Sequence, residues 1–411
     1  MNAPAKAAPG FAGVTYEEAL ASARALVPAL RERAARAEEA RIVLPETLAD
    51  LNRTGLLRIL QPKRWGGMEL EFAAYMDIPC ELARGCASTG WNTANLLIHH
   101  WMLALYDERA QEEVWGTNPD AMIASGIAYP QGSGRVAKSG AEDGFVISGR
   151  WNFSSAVNVS DWNMLAVTVR DGEGRSGDKV VDHRMCLLHK SEYEVVDDWQ
   201  VLGMRSTGSM TVVAKDVFVP VHRALCMYEA RGGDRFPGAR GNPNPIYRVP
   251  LSTLGSHGIG GVAVGNALAA LELSIEVVKS RSTNYTGLKM RDFQAVQLRI
   301  GAAGARIDAA RQVLRNDCVE GQEIANRNVI ADPERKLRFK RNLAYAVSLC
   351  TEAVDMLHAM AGANGIYDGY PIQRIFRDAH ALAGHFSFST DAQYSTWGLA
   401  VLGGDIANPT L

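Results

Sequence analysis

Apolar residues recur at helical spacing from Tyr16 onward. Ala19, Leu20, Ala23, Leu26, Val27 and Leu30 give steps of one, three and four positions, the mark of one buried helix face. The charged run RERAARAEEARIV that follows predicts an exposed face. Helical texture continues to Trp115, interrupted by LQPKRWGGMEL, where Pro62 and the Gly66-Gly67 pair break the period. That piece is expected to wrap the surface.

Near Asn118 the period changes. Short β-rich runs (FVISGRW, WNMLAVTV, VVDHRMCLLH, MTVVAKDVFVP) alternate with Gly, Asp, Ser and Lys up to Pro220 and predict antiparallel strands. EARGGDRFPGARGNPNPIYRVP, residues Glu229 to Pro250, is too poor in apolar residues to form an element of its own. Connections of this length and composition commonly act as lids. From Leu254 to Leu402 long apolar-periodic segments return, punctuated by Gly365 and a Gly-Tyr-Pro turn, as in an antiparallel helix bundle. The expected class is α+β. An N-terminal α-helical domain covers residues 1–118 and a middle antiparallel β domain 119–228, and a lid loop with a C-terminal four-helix bundle fills 229–411.

Composition removes several functions. At 411 residues, 47% hydrophobic and 21% charged, the chain is globular and long enough for two or three packed units. A net charge of -2 offers no field for a nucleic-acid backbone and no polybasic membrane anchor. The N-terminal lead MNAPAKAAPGFAGVTYEEAL has no apolar h-region, and no segment holds 18 uninterrupted apolar residues, so a soluble, cytoplasmic protein is expected. The six cysteines are scattered without a CxxC, which indicates neither a zinc site nor a disulfide framework. His380 and His385 are five apart, not the four that would face a metal together on a helix, so no metal is expected.

Three motifs carry a resemblance. LGMRSTGSMTVVAKDVFVP (Leu202 to Pro220), GRWNFSSAVNVSDW (Gly149 to Trp162) and PIQRIFRDAH (Pro371 to His380) resemble, in order and spacing, segments of the acyl-CoA dehydrogenase superfamily. The resemblance implies that superfamily's fold, in agreement with the helix, strand, helix order. One large group of these dehydrogenases carries its carboxylate base in a Tyr-Glu-Gly-Thr run soon after an Arg-Asp pair. Here the residues after Arg377-Asp378 read AHALAGHFSFSTD, with no glutamate. The His-x5-Asp pattern from His385 to Asp391, the Thr-Gly-Ser of Thr207 to Ser209 and the run HHWMLALYDERAQEEVW instead resemble the superfamily's two-component flavin-dependent monooxygenases. These include the oxygenase components acting on 4-hydroxyphenylacetate and on steroid-catabolic phenols.

That resemblance implies reduced FMN or FAD as cofactor, O2 as co-substrate and a C4a-hydroperoxyflavin as the oxygenating species. Ser155 then corresponds to the residue that meets flavin N5, with Ser154 as fallback, because adjacent strand positions face opposite ways. Phe153, Thr207 and Ser209 fall among the cofactor-binding positions. His385 is the candidate proton donor or stabilising dipole beside C4a, with Asp378 and Ser389 on its helix face. His99, or its neighbour His100, is the candidate base toward a phenol, and Tyr129 and Tyr247 are further substrate-side candidates. Arg281, Gln294 and the AGANG turn would meet the phosphate end, partly across a subunit interface. Arg205 is a second cation for that end or a brace for its own turn.

No Gly-x-Gly-x-x-Gly follows a strand, so the NAD(P)H chemistry falls to a separate flavin reductase. The expectation is a homotetrameric oxygenase component acting on an aromatic or phenolic small molecule. An N- or S-oxygenase of the same mechanism, an acyl-CoA dehydrogenase or oxidase with bound FAD, and a binding protein that has lost catalysis are the alternatives.

Overall fold

The computed structural model describes residues 10–127, 131–172, 177–283 and 286–406. The first helices are α1 (Tyr16–Ala40), α2 (Pro45–Thr54), α3 (Ala74–Ala83), α4 (Ala87–Leu103) and α5 (Glu108–Gln111). Thr15 opens α1 with a capping box: its hydroxyl accepts the Glu18 N–H while the Glu18 carboxylate accepts the Thr15 N–H. Ala19, Leu20, Ala23, Leu26, Val27 and Leu30 are all buried, as their spacing predicts.

The strands are β1 (Ile123–Gly126), β2 (Gly132–Ser139), β3 (Glu142–Ser154), β4 (Trp162–Arg170), β5 (Val180–His189), β6 (Glu194–Val196), β7 (Met210–Pro220) and β8 (Ala224–Cys226). They form one sheet in the order β6-β7-β3-β2-β4-β5-β8, with β1 beside β4. The expected antiparallel pairing holds for β2 with β3, β3 with β7 and β4 with β5. The sheet as a whole is mixed, because β1 and β2 both run parallel to β4, against Trp162–Leu165 and Thr168–Arg170. A period of two reports which face is buried and carries no information on the direction of the neighbouring strand.

The remaining helices are α6 (Leu251–Leu254), α7 (His257–Ser280), α8 (Gln294–Asn326), α9 (Pro333–Ala361), α10 (Pro371–Ala383) and α11 (Thr390–Val401). Helix α7 packs against α3, α4, α8, α9 and α10. The helical span Leu251–Ser280, made of α6 and α7, is long and apolar enough to cross a membrane by length and composition, and 56% of its most apolar window is buried inside this bundle.

Two irregular segments differ from expectation. LQPKRWGGMEL lies only partly at the surface: Lys63 and Arg64 are exposed, but Leu60, Gln61, Met68 and Leu70 are buried, and Gln61 donates to the carbonyls of Trp65 and Pro119. Gly67 makes this possible, since a Cβ there would overlap the Gln61 backbone. The Glu229 to Pro250 segment is a strap pinned to the N-terminal helices, not a lid. Asn242 donates to the Ala104 carbonyl, Trp101 donates to that of Ile246, and Phe236, Ile246 and Val249 are buried.

Helices α3 and α7 touch through glycine. At Gly265 a Cβ would overlap the Cys80 carbonyl. Gly265→Ala is therefore expected to cost about 1–3 kcal/mol through overpacking, read as a lower urea midpoint with an unchanged slope.

Candidate active site

A cavity of about 550 Å³ opens where α4, the ends of β3 and β7, and the α10–α11 junction meet. Its wall includes Trp91, Phe153, Ser155, Trp199, Ser209 and His385. Among the described residues, none that lines it is Asp, Glu, Lys or Arg. It is an uncharged, aromatic-walled space with hydroxyls on one side.

The hydroxyl side is built by strained backbone. β3 and β7 slip register between Trp151 and Ser154. Within that bulge Phe153 takes φ +64°, and Ala156 and Met204 are also left-handed at +59° and +55°. Non-glycine residues rarely adopt this region, and bulges re-aim side chains. The result separates the two candidate serines. Ser154 is fully buried and accepts from Asn163 Nδ2 at 3.0 Å, whereas Ser155 lines the cavity. Ser155 Oγ lies 3.1 Å from Trp91 Nε1 and 2.7 Å from Ser209 Oγ, which is 2.7 Å from Thr207 Oγ1. Phe153 stands out at 67% exposure, edge-on to Trp199.

His385 forms part of the opposite wall. Helix α10 ends at Ala383, so His385 does not continue its face, and the expected alignment with Asp378 and Ser389 is absent. His385 instead caps the next short turn, its Nδ1 accepting the Ser387 N–H at 3.2 Å. That bond assigns the ring proton to Nε2. The residue keeps an open face on the lumen, with Trp91 edge-on at 5.7 Å, and desolvation by the protein packed around the ring lowers its pKa to about 4. At neutral pH the ring is uncharged. Of the two roles expected for it, stabilising dipole suits this state better than proton donor.

The other candidates are placed elsewhere. His99 is buried behind the cavity, its Nδ1 donating at 2.6 Å to the Ile123 carbonyl, one turn of strand before Ser125 in the cavity wall. Its Nε2 is buried without a partner, and burial lowers its pKa to about 4. His100 is equally buried, stacks on Trp115 and accepts that indole's N–H, with its pKa lowered to about 3 by burial. Neither histidine of the pair lines the cavity. Tyr247 lies in the core, donating to the Leu60 carbonyl away from the cavity. Arg205 braces its own turn through the Val201 carbonyl. Arg281 caps the C-terminal end of α7 and Gln294 begins α8, and neither reaches the cavity wall of this chain. Tyr129 lies outside the described residues.

Trp91 carries the chief correction of omission, since its indole touches both Ser155 and His385. The sequence held only a weak signal. Trp91 and Asn95 are four apart and so share one face of α4, and they are the two positions of that helix the fold leaves partly open, although the helix also holds Ser88, Thr89, Asn92 and Thr93 and the spacing alone does not single the pair out.

Residues 15–117 match the acyl-CoA dehydrogenase N-terminal domain and residues 257–390 the acyl-CoA dehydrogenase C-terminal domain. The chain is 33% identical over 381 residues to the flavin-dependent monooxygenase oxygenase subunit HsaA of Rhodococcus jostii (strain RHA1), covering 92% of this chain and 97% of that one. It is 32% identical over 382 residues to the FADH2-dependent resorcinol hydroxylase oxygenase component of Rhizobium sp. (strain MTP-10005), covering 91% of each. The crystal structure of 3-HSA hydroxylase from Rhodococcus sp. RHA1 superposes with a TM-score of 0.89 over 96% of this chain and 99% of that chain, at 32% identity. The chain belongs to the acyl-CoA dehydrogenase family, in its branch of oxygenase components of flavin-dependent monooxygenases.

Asp378 offers a test of the cavity's frame. Its carboxylate accepts the Met204 N–H, and burial raises its pKa to about 6 from 3.8. The folded state thus holds this proton more tightly than the unfolded chain, so the residue's contribution to stability falls as pH rises from about 4 to 6. Asp378→Asn keeps the acceptor and removes the titration. Its unfolding midpoint at about pH 7 should equal or exceed that of the parent protein, while Asp378→Ala should lose about 1–3 kcal/mol at both ends of the window.

Proposed function

We propose that the cavity holds the ring system of a reduced flavin and that the protein uses it with O2 to hydroxylate a phenolic or other aromatic small molecule. One observation carries this reading: the Ser155 hydroxyl and the neutral His385 imidazole open on the same uncharged, aromatic-walled space. A flat heteroaromatic ring suits Phe153, Trp91 and Trp199 as walls and Ser155, Thr207 and Ser209 as polar partners. When bound, reduced flavin supplies the electrons that activate O2.

The chain's own residues do the rest. Ser155 offers an oxygen to the ring edge. His385 Nε2–H offers a donor to an oxygen that gains negative charge in the cavity, a dipole that needs no proton transfer to act. Apolar side chains of Leu382 and Phe386 narrow access by water. His99, its Nδ1–H fixed on the Ile123 carbonyl, lies behind the cavity wall, where it steadies the strand that carries Ser125 rather than meeting the phenol. No carboxylate among the described residues lines the cavity, which speaks against abstraction of a proton next to a thioester.

Among the described residues the cavity wall also holds no cation for a flavin phosphate. Arg281 is the candidate, from a second copy of the chain. The start of α8 supports this, with Leu298 at 65% exposure close to Phe293 and Leu288, an apolar surface fit for burial against another subunit. Self-association as a homotetramer and delivery of reduced flavin by a separate NAD(P)H-dependent reductase complete the reading.

Anaerobically reduced FMN or FAD, mixed with oxygenated buffer and a panel of small phenols, should yield hydroxylated product only when the protein is present. Flavin consumption without product across the panel rejects the reading. His385→Ala should retain flavin binding while product per flavin consumed falls about tenfold or more, with hydrogen peroxide making up the difference. Sedimentation of the purified protein at several concentrations should give a tetramer; Leu298→Glu should shift it to smaller species and weaken flavin binding together with Arg281→Ala.

A further inference from the structure

Four side chains at the cavity wall form a hydrogen-bonded chain. Trp91 Nε1 is 3.1 Å from Ser155 Oγ, Ser155 Oγ is 2.7 Å from Ser209 Oγ, Ser209 Oγ is 2.7 Å from Thr207 Oγ1, and Thr207 Oγ1 is 2.9 Å from the Met204 carbonyl oxygen. Either hydroxyl of each serine or threonine pair could donate if the pair stood alone. The two ends remove that freedom, because an indole N–H only donates and a backbone carbonyl only accepts.

Only one arrangement of protons makes all four bonds. Thr207 has a single hydroxyl proton, and it goes to the Met204 carbonyl. Thr207 Oγ1 must then accept from Ser209, and Ser209 Oγ, its own proton spent, must accept from Ser155. The Ser155 proton therefore points along the wall toward Ser209, and one of its lone pairs is taken by the Trp91 indole. What Ser155 presents to the cavity is the remaining lone pair.

We infer that this relay makes Ser155 an acceptor only, so that the site discriminates between the redox states of its flavin, with Trp91, Ser209 and Thr207 as the positioning residues. The inference rests on the reading that Ser155 meets flavin N5. In dihydroflavin that nitrogen carries a hydrogen and can donate to the lone pair. In oxidised flavin it is itself a bare lone pair, and the two acceptors oppose each other. A buried acceptor left facing an acceptor loses one hydrogen bond and gains none, which corresponds to about a tenfold difference in binding. The relay favours entry of the reduced cofactor and departure of the oxidised one, without any movement of the protein.

The test is equilibrium binding under anaerobic conditions, with FMN and FAD each measured oxidised and dithionite-reduced, and the ratio of the two Kd values as the readout. The wild-type protein should bind reduced flavin about tenfold or more tightly. In Ser209→Ala the Ser155 proton loses its acceptor and turns into the cavity, so the oxidised form should bind more tightly and the ratio should shrink to about threefold or less. Thr207→Val breaks the chain one link later and should act likewise, whereas Thr207→Ser restores the link and should keep the wild-type ratio. Using a ratio within one protein cancels general losses of affinity, and near-ultraviolet circular dichroism checks the fold of each variant. A wild-type preference for reduced flavin that persists unchanged in both Ser209→Ala and Thr207→Val overturns the relay and leaves the flavin reading standing. Equal wild-type affinity for both redox states overturns it too. Wild-type protein that binds neither flavin in either state overturns the reading of the cavity, and the relay with it.

Discussion

The cavity depends on a close docking of two distant chain segments. The turn before β7 lies so near the middle of α10 that a Cβ on Gly203 would overlap the Arg377 carbonyl. Three further bonds fix the contact: the Met204 N–H donates to Asp378, Arg377 Nη1 donates to the Leu202 carbonyl at 2.8 Å, and Arg377 pairs with Glu38 of α1. Sheet, C-terminal helices and N-terminal helix thus meet around one backbone crossing. Ser155, Ser209 and His385 come from three separate places in the chain, and this crossing gives them a common space. Burying Asp378 raises its pKa, an electrostatic cost accepted where the frame needs an acceptor for Met204.

The cavity's neutrality divides labour within the molecule. An uncharged wall can hold an aromatic ring in a medium where a single N–H or hydroxyl dipole acts strongly, because no neighbouring charge competes with it. The same wall cannot neutralise a phosphate. The separation leaves control at the ring to dipoles, and among the described residues the cavity wall offers no cation to an anionic end of a ligand.

Much of the fold was legible in the sequence, since burial period reports faces directly: the α1 stripe and the apolar run of β4 are both buried as read. Strand direction was not, as the parallel neighbours of β4 show. Nor was the fate of glycine- and proline-rich segments. Gly67 and the strap around Asn242 are irregular because they pack closely, and a close approach of backbone to backbone has the same local composition as a surface loop. At the site, the motif residues Ser155, Thr207, Ser209 and His385 share one cavity, while Tyr247 and Arg205 turn to other partners. Trp91 reads from the sequence as core or interface, as a helical tryptophan does until its indole N–H is seen to have a hydroxyl partner.

The two sides of the cavity are encoded differently. One is set by the left-handed backbone at Phe153, Ala156 and Met204, where most side chains carry a conformational cost and where a changed residue disturbs the neighbouring hydroxyls. The other is contributed by Leu382 and Phe386 at the α10–α11 junction, side chains whose shape can change with less demand on the backbone. Descendants of such a protein can therefore reshape the helical side of the cavity while inheriting the hydroxyl-bearing strand side intact.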